Sequence, residues 1–466
     1  MSYSTLDKVL ERARQLVTPS ILEEKKVARV ANFLLTQVRE VTDKSGLDLD
    51  LVIGGSYAKG TWLPGEADLD LFLKFPLDTS KVDLERQGIA IAEKALHSHP
   101  RGLRYSEHPY LEAWVKDIRV NVVPCYDAKK GQWKSAADRS PYHTTVIKEA
   151  FDQSLCLETR ILKRFLKKSG LYGAEIKVQG FSGYVCEVII LAYKTFEATL
   201  REASDWEDHQ AILTEPLKNG LSANFMSSLI IPDPVDARRN LGSAISARNV
   251  AAFTLIASDF LKRPRFSNFS FTNARKAWSS SQSSPILERL VMVTFRHHKV
   301  PVDILWGQLR RTLRGLVRQL ESHDFKVMRA NVASDDQTKS AFLFLIESTT
   351  LSKFRRRIGP HAHRGADARV FLKKNAGKLL ISWISDDGRI IGLTDRQFIT
   401  AESVLREAMS GSIALSVAGN LKRELKQNFE IQIGRPILSP QYSKPWLLEA
   451  IGNIVFTERL LSDQRR

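Results

Sequence analysis

Cysteine is scarce. The 466-residue chain holds three, Cys125, Cys156 and Cys186, and none falls in a C-x-x-C or other zinc-ligand spacing. That excludes a disulfide-stapled scaffold and a cysteine-built zinc site, and it suits reduced thiols in a cytoplasmic protein. Long apolar runs are missing too. No segment approaches the roughly 18 unbroken apolar residues of a membrane span, and Met1 to Leu10 carries no signal-peptide pattern. A cytoplasmic protein with no membrane partner is expected. Acidic residues are the third shortage, 52 against 69 Lys and Arg, for a formal charge of +17. Such a surplus suits a polyanion partner, because Lys and Arg gain from releasing counterions condensed on phosphates. A general basic bias gives the same composition, so charge alone does not decide. The length allows about three domains, each able to bury its own core, and no internal repeat occurs.

What is present concentrates in one stretch. Leu51-Val52-Ile53 runs into Gly54-Gly55-Ser56-Tyr57-Ala58-Lys59-Gly60, and Ala67-Asp68-Leu69-Asp70-Leu71-Phe72-Leu73 follows shortly after. In a strand, residues i and i+2 share a face. Asp68 and Asp70 would then project together while Leu69, Leu71 and Leu73 enter a core. Two carboxylates side by side repel each other unless a cation lies between them. The plain alternative is a pair of solvated acids on an edge strand. The glycine–serine turn just upstream argues against it, since small residues before a helix start offer free backbone N–H groups to phosphate. A phosphate cradle beside a divalent-metal site is what nucleotidyl transfer needs.

This combination resembles the nucleotidyltransferase signature of the polymerase-β superfamily. The fuller string from Gly54 to Phe75 resembles the archaeal (class I) CCA-adding enzymes, the tRNA nucleotidyltransferases. Further strings agree: Val122-Val123-Pro124-Cys125-Tyr126, Arg139-Ser140-Pro141-Tyr142-His143-Thr144, Tyr172-Gly173-Ala174-Glu175, and Gly180-Phe181-Ser182-Gly183-Tyr184. So do Asp233-Pro234-Val235-Asp236 with Arg239-Asn240, and Leu305-Trp306-Gly307, so that the resemblance runs from Leu51 to beyond Phe371. It implies a multidomain α+β fold. A polymerase-β-like nucleotidyltransferase head would cover about residues 1–143 and a helical nucleotide-binding middle about 144–268. An α/β body would cover about 269–466, with an RNA-binding tail inserted at about 315–400. The implied activity is template-independent addition of C, C and A to the tRNA 3′ end from CTP and ATP, with Mg2+, in a protein that can also form a homodimer. Two alternatives stay open: a single-nucleotide terminal transferase such as a poly(A) polymerase, and a catalytically impaired RNA-binding homologue.

The resemblance also assigns residues. Asp68 and Asp70 would be the metal-bridging pair. Gly55 and Ser56 would meet the outer phosphates through backbone and hydroxyl, and Lys59 would reach the same anion as a point charge. A third carboxylate is expected on a neighbouring strand, where relatives write V-D-V-V-P-C-Y. Here the string is Val120-Asn121-Val122-Val123-Pro124-Cys125-Tyr126, so Asn121 holds the third metal-ligand and catalytic position without its charge. A neutral amide weakens the metal and cannot act as a base; Asp117, four residues back near a turn, is a poor substitute. His143, Lys163 and Tyr172 correspond to triphosphate contacts, although Arg160, Lys163, Arg164, Lys167 and Lys168 could equally form a solvated helix face. Arg239 corresponds to the base-reading arginine, with Arg238 beside it as the confounder. For tRNA, Arg310, Arg311, Arg314 and Arg318 recur at three- and four-residue spacing on one helix face. Lys353, Arg355, Arg356 and Arg357 cluster before Gly359-Pro360; either group could be plain surface. Duplex RNA is read through phosphates and 2′-hydroxyls, which suits such groups.

The periodicity predicts two helices between Thr5 and Val41, then strands at Leu51–Ile53, Leu69–Phe75 and Ile118–Val123 with a helix near Leu84–His97. Val146 to Lys262 reads as mostly helical, including Glu158–Lys168 and Tyr184–Ala198, with a break at Pro232-Asp233-Pro234. Arg265, Phe266, Phe269 and Phe271 mark a loop into the next domain. Beyond it, strands are expected at Ile286–Phe295 and Phe342–Glu347, a helix at Ile304–Ser322, and loops at Ala333–Ser340 and Lys353–Arg364.

Overall fold

Two helices open the chain in the computed structural model, which describes residues 5–105, 108–215, 225–270, 285–411 and 419–455. They are α1 (Thr5–Val17) and α2 (Ile21–Lys44). Ser20 caps α2 by accepting from the Glu23 N–H at 3.3 Å, and Val27, Val30, Ala31, Leu34 and Val38 form its buried stripe. A five-stranded sheet follows, made of β1 (Asp50–Gly54), β2 (Asp68–Phe75), β3 (Arg101–Tyr105), β4 (Pro109–Val115) and β5 (Ile118–Tyr126), with the short turn α3 (Gly55–Ala58) and α4 (Lys81–Ala95) between strands. Its order is β1-β2-β5-β4-β3. β2 and β5 run parallel, and the register sets Asp68 opposite Arg119 and Asp70 opposite Asn121. β4 and β5 form a hairpin that sets Glu112 opposite Asn121. Its two-residue turn is Lys116-Asp117, with φ of 49° and 66°, the twist that a tight hairpin requires. Leu69, Leu71 and Leu73 are fully buried and join the α2 stripe in one core. The alternation therefore leaves Asp68 and Asp70 on the open face.

The rest of this first unit is helical: α5 (Arg139–Ala150), α6 (Gln153–Lys168), α7 (Gly183–Tyr193), α8 (Phe196–Ser204) and α9 (Ala247–Lys262), with the two-residue strands β6 (Gln210–Ala211) and β7 (Leu229–Ile230). Phe165, Phe196, Phe260 and Phe269 meet edge-on or tilted at 5.3 to 5.8 Å, an arrangement that favours aromatic quadrupoles. The expected single helix Tyr184–Ala198 is two. Lys194 turns to φ 74°, ending α7, and Thr195 caps α8. Phe271 lies outside the described residues.

Contacts divide the chain between Asn273 and Ala274. The second unit contains β8 (Leu290–Arg296), α10 (Val302–Ser322), β9 (Val327–Ser334), β10 (Lys339–Ile346), β11 (Phe354–His361), α11 (Gly365–Lys374), β12 (Leu379–Ile384), β13 (Arg389–Asp395), α12 (Ala401–Ser410), α13 (Gly419–Gln427), β14 (Phe429–Ile433) and α14 (Pro445–Val455). One antiparallel sheet has the order β14-β8-β10-β9 and a smaller one the order β11-β13-β12. The larger sheet carries a core on each face. α10 and α12 cover Phe342 and Phe344, and α14 covers Ala341 and Leu343. Burial on both faces explains why β10 reads as a continuous apolar run. The loop expected at Lys353–Arg364 is largely strand, because β11 pairs residue by residue with β13. Charged residues are the normal dress of an exposed edge strand. The expected tail boundary near residue 315 falls inside α10, whose buried face runs unbroken from Leu305 to Leu320. Among the described residues, no helix is long and apolar enough to cross a membrane.

Candidate active site

The glycine turn and the acidic pair form a single site. Gly55 has φ of +69°, and a Cβ placed on it would lie 2.0 Å from Asp70 Oδ2. Only glycine lets the turn sit this close to the carboxylate. Burial raises the Asp70 carboxyl above its ordinary range, the Asn121 amide opposes that shift, and the charge of Asp68 adds to it. Asn121 Nδ2 donates to Asp70 Oδ1 at 2.8 Å, while Asn121 Oδ1 is buried with no hydrogen-bond partner among the described residues. Arg119 grips Asp68 with two donors, Nε reaching Oδ1 at 2.9 Å and Nη2 bonding Oδ2. Among the described residues, no three His, Cys, Asp or Glu side chains are grouped to hold a metal ion. With a neutral amide at position 121, the acids adjacent here are Asp68 and Asp70. Asp117 sits at the hairpin tip, outside this constellation.

Beside the turn lies a buried carboxylate that motif reasoning passed over. Glu187, fully buried, accepts from Lys59 Nζ at 2.5 Å, Lys163 Nζ at 2.9 Å and Thr61 Oγ1 at 2.5 Å. Lys163 also donates to the Thr61 carbonyl at 3.1 Å. Burial alone would lift the Glu187 carboxyl, but the two ammonium groups and the Thr61 hydroxyl hold it down to about 2. Burial pulls Lys163 below the ordinary lysine range, against the attraction of Glu187. The two lysines assigned to triphosphate are thus brought together, and both face Glu187. Lys163 is no part of a solvated helix face, being only 2% exposed. A signal was available in the sequence: Glu187 is the one acid in the otherwise apolar helix Gly183–Tyr193, and a buried carboxylate must be paired. Tyr172 lies beside this cluster, near Lys163 over Gly183. Its hydroxyl comes within 2.9 Å of where a Cβ on Gly183 would lie, and burial raises its pKa.

Asp233 organises a third cluster. It is buried and accepts from His143 Nε2 at 2.9 Å, Arg239 Nη1 at 3.3 Å, Tyr184 Oη at 3.3 Å and the Val235 N–H at 2.9 Å. The His143 ring stacks on Tyr184 with centroids 4.0 Å apart. Burial raises the Asp233 carboxyl, and the His143 hydrogen bond and Arg239 charge overcome it and lower the pKa. His143 and Arg239, 96 positions apart in number, therefore share one anchor. Arg238 points elsewhere: it is tied to Asp236 at 3.0 Å and its side chain is 71% exposed.

The chain matches three family models in tandem: "Nucleotidyltransferase domain" over residues 35–148, "tRNA nucleotidyltransferase, second domain" over 158–270, and "CCA-adding enzyme, C-terminal domain" over 288–434. It is 32% identical to the CCA-adding enzyme of Saccharolobus solfataricus, across 91% of this chain and 96% of that one. It is 35% identical to the CCA-adding enzyme of Pyrobaculum aerophilum, across 81% and 87%. The chain belongs to the CCA-adding enzyme family. Among solved structures, a cytoplasmic RNA terminal U-transferase aligns with 57% of this chain and 98% of its own, at a TM-score of 0.42 and 14% identity.

In this member of the CCA-adding family the basic residues of the second unit are only partly gathered. Arg311, Arg314 and Arg318 are exposed on α10, whereas Arg310 is half-buried. Arg355 is paired with Asp324 at 2.9 Å, and Arg396 bonds the same carboxylate. Strand geometry sends Arg355 and Arg357 to one face of β11 and Arg356 to the other. The expected cluster there is not one patch.

Proposed function

We propose that this protein adds C, C and A without a template to the 3′ end of tRNA in the cytoplasm, using CTP and ATP with Mg2+ at Asp68 and Asp70. The observation that carries the reading is Gly55 packed against Asp70, since it joins a phosphate-accepting turn to the carboxylates in one site. The donors suit Mg2+, which takes oxygen ligands and keeps several waters: two carboxylates, and Oδ1 of Asn121, which has no hydrogen-bond partner among the described residues. When bound, the metal neutralises charge on the phosphoryl oxygens. The Gly55–Ser56 turn receives the outer phosphates, with Lys59 and Lys163 supplying positive charge from beneath. Arg239, held by Asp233, presents a planar fork of donors to the edge of cytosine or adenine. Asn121 orients Asp70 through its amide but cannot take a proton, so the chemical step is slow. We place the tail in the small sheet and α11, within residues 354–395, and the head in the first 143 residues.

Extension of a tRNA lacking CCA, with CTP and ATP singly and together, tests this. A finished CCA end only when both are present is the expected result. Long tails from ATP alone would make the protein a single-nucleotide polymerase instead. Asn121 favours one second reading, an RNA-binding homologue without turnover. No product from this protein, and none after Asn121→Asp, would establish that reading.

A further inference from the structure

Arg119 already holds Asp68, one of the two carboxylates to which the proposed metal is assigned. Both oxygens of Asp68 lie in its guanidinium fork, and a bidentate guanidinium takes one lone pair of each oxygen and compensates the carboxylate's charge. The remaining nitrogen, Nη1, lies 3.9 Å from Glu112 Oε2. Register accounts for this. Arg119 faces Asp68 across the parallel pair, and Glu112 faces Asn121 across the hairpin, so all four side chains share the open face with Asp70. Glu112 is also half prepared. Its Oε1 is taken by Arg104 at 2.9 and 2.6 Å, while Oε2 faces Arg119 beyond hydrogen-bonding distance.

We propose that Arg119 is a resident cation that a divalent ion must displace from Asp68, and that Glu112 receives the displaced guanidinium. The inference rests on the metal reading of Asp68 and Asp70 given above. Exchange, rather than coexistence, follows from charge. With a neutral residue at position 121, a guanidinium left on Asp68 would repel the incoming ion and occupy its ligand. An ion alone therefore competes poorly. An ion already coordinated by triphosphate oxygens brings ligands of its own and displaces Arg119, so Arg119 makes metal occupancy depend on nucleotide.

The test is a Mn2+ titration of the full-length protein without nucleotide, with free ion followed by electron paramagnetic resonance. Arg119→Gln should bind Mn2+ about tenfold more tightly, a coupling of ordinary size between two sites. Arg119→Lys, which keeps the charge and loses the fork, should change affinity in the same direction by less. Glu112→Gln should weaken binding in the parent and change little in the Arg119→Gln background, because no guanidinium then needs a place to go. If Glu112→Gln weakens binding equally in both backgrounds, Glu112 acts only as a distant charge and the proposal is overturned. It is also overturned if Arg119→Gln leaves affinity unchanged while Asp68→Asn abolishes binding. Retention of full Mn2+ affinity in Asp68→Asn would instead remove the metal site itself.

Discussion

Replacing Glu187 by glutamine removes one charge and almost no volume, in a place where two buried ammonium groups depend on it. Its carboxyl is held at about 2 against an ordinary 4.5. At 1.36 kcal/mol per unit, the ionised form stabilises the fold by about 3 kcal/mol at neutral pH. Mutational experience leads to the same size, since breaking a buried pair costs about 3–5 kcal/mol by stranding the partner charge. A loss of this order lowers the melting temperature by roughly 6–12 °C in a unit of this size. The sign with pH follows from the depressed value. The contribution is fully present above the unfolded-state pKa, near 4.5, and is lost as pH falls toward 2. Thermal melting of parent and Glu187→Gln between pH 3 and 8 should therefore show a large gap at neutral pH that closes in acid. Lys163→Met in the same background should restore part of the loss, because the stranded ammonium is gone. A Glu187→Gln protein that melts within about 1 °C of the parent at pH 7, where a loss of 3 kcal/mol predicts several times more, would refute the reasoning and mean that Lys59 and Lys163 do not rely on this carboxylate.

Asp70→Ala should abolish extension of tRNA while leaving tRNA affinity nearly unchanged, measured by filter binding beside primer extension. Asn121→Asp places a second acid against Asp70. Without divalent ions it should lower the melting temperature, and with Mg2+ it should raise the extension rate by orders of magnitude, each 1.36 kcal/mol being worth about tenfold. Arg239→Ala should impair use of both CTP and ATP in single-turnover assays, whereas Arg238→Ala, whose side chain points to solvent, should change neither. Replacing Arg311, Arg314 and Arg318 together by alanine should reduce the slope of log affinity for tRNA against log salt by about 2, at roughly 0.7–0.9 per phosphate contact.

Local pattern carried the reading of β2 because two periodicities coincide there. Leu69, Leu71 and Leu73 demand one face, which obliges Asp68 and Asp70 to take the other, and the glycines just before can only turn. Helices α2, α6 and α10 were legible for the same reason, each showing an apolar stripe at three- and four-residue spacing. β3 escaped because all five of its residues are exposed and no alternation marks it. β11 escaped because an arginine-rich edge strand looks like a solvated loop until its partner β13 is known.

The sequence by itself determined the family, the acidic pair and the neutral amide at position 121, since these depend on residue identity and on neighbours within a few positions. Only the tertiary structure decided which partners the acids of the site hold. Thr61 meets Glu187 across 126 residues, His143 meets Asp233 across 90, and Arg119 meets Asp68 across 51. A carboxylate's partner is chosen by whatever charge the fold brings within a few ångströms in a low-dielectric interior. That choice made Glu187 and Asp233 the hubs of the site, and it put Arg119 rather than open solvent beside Asp68.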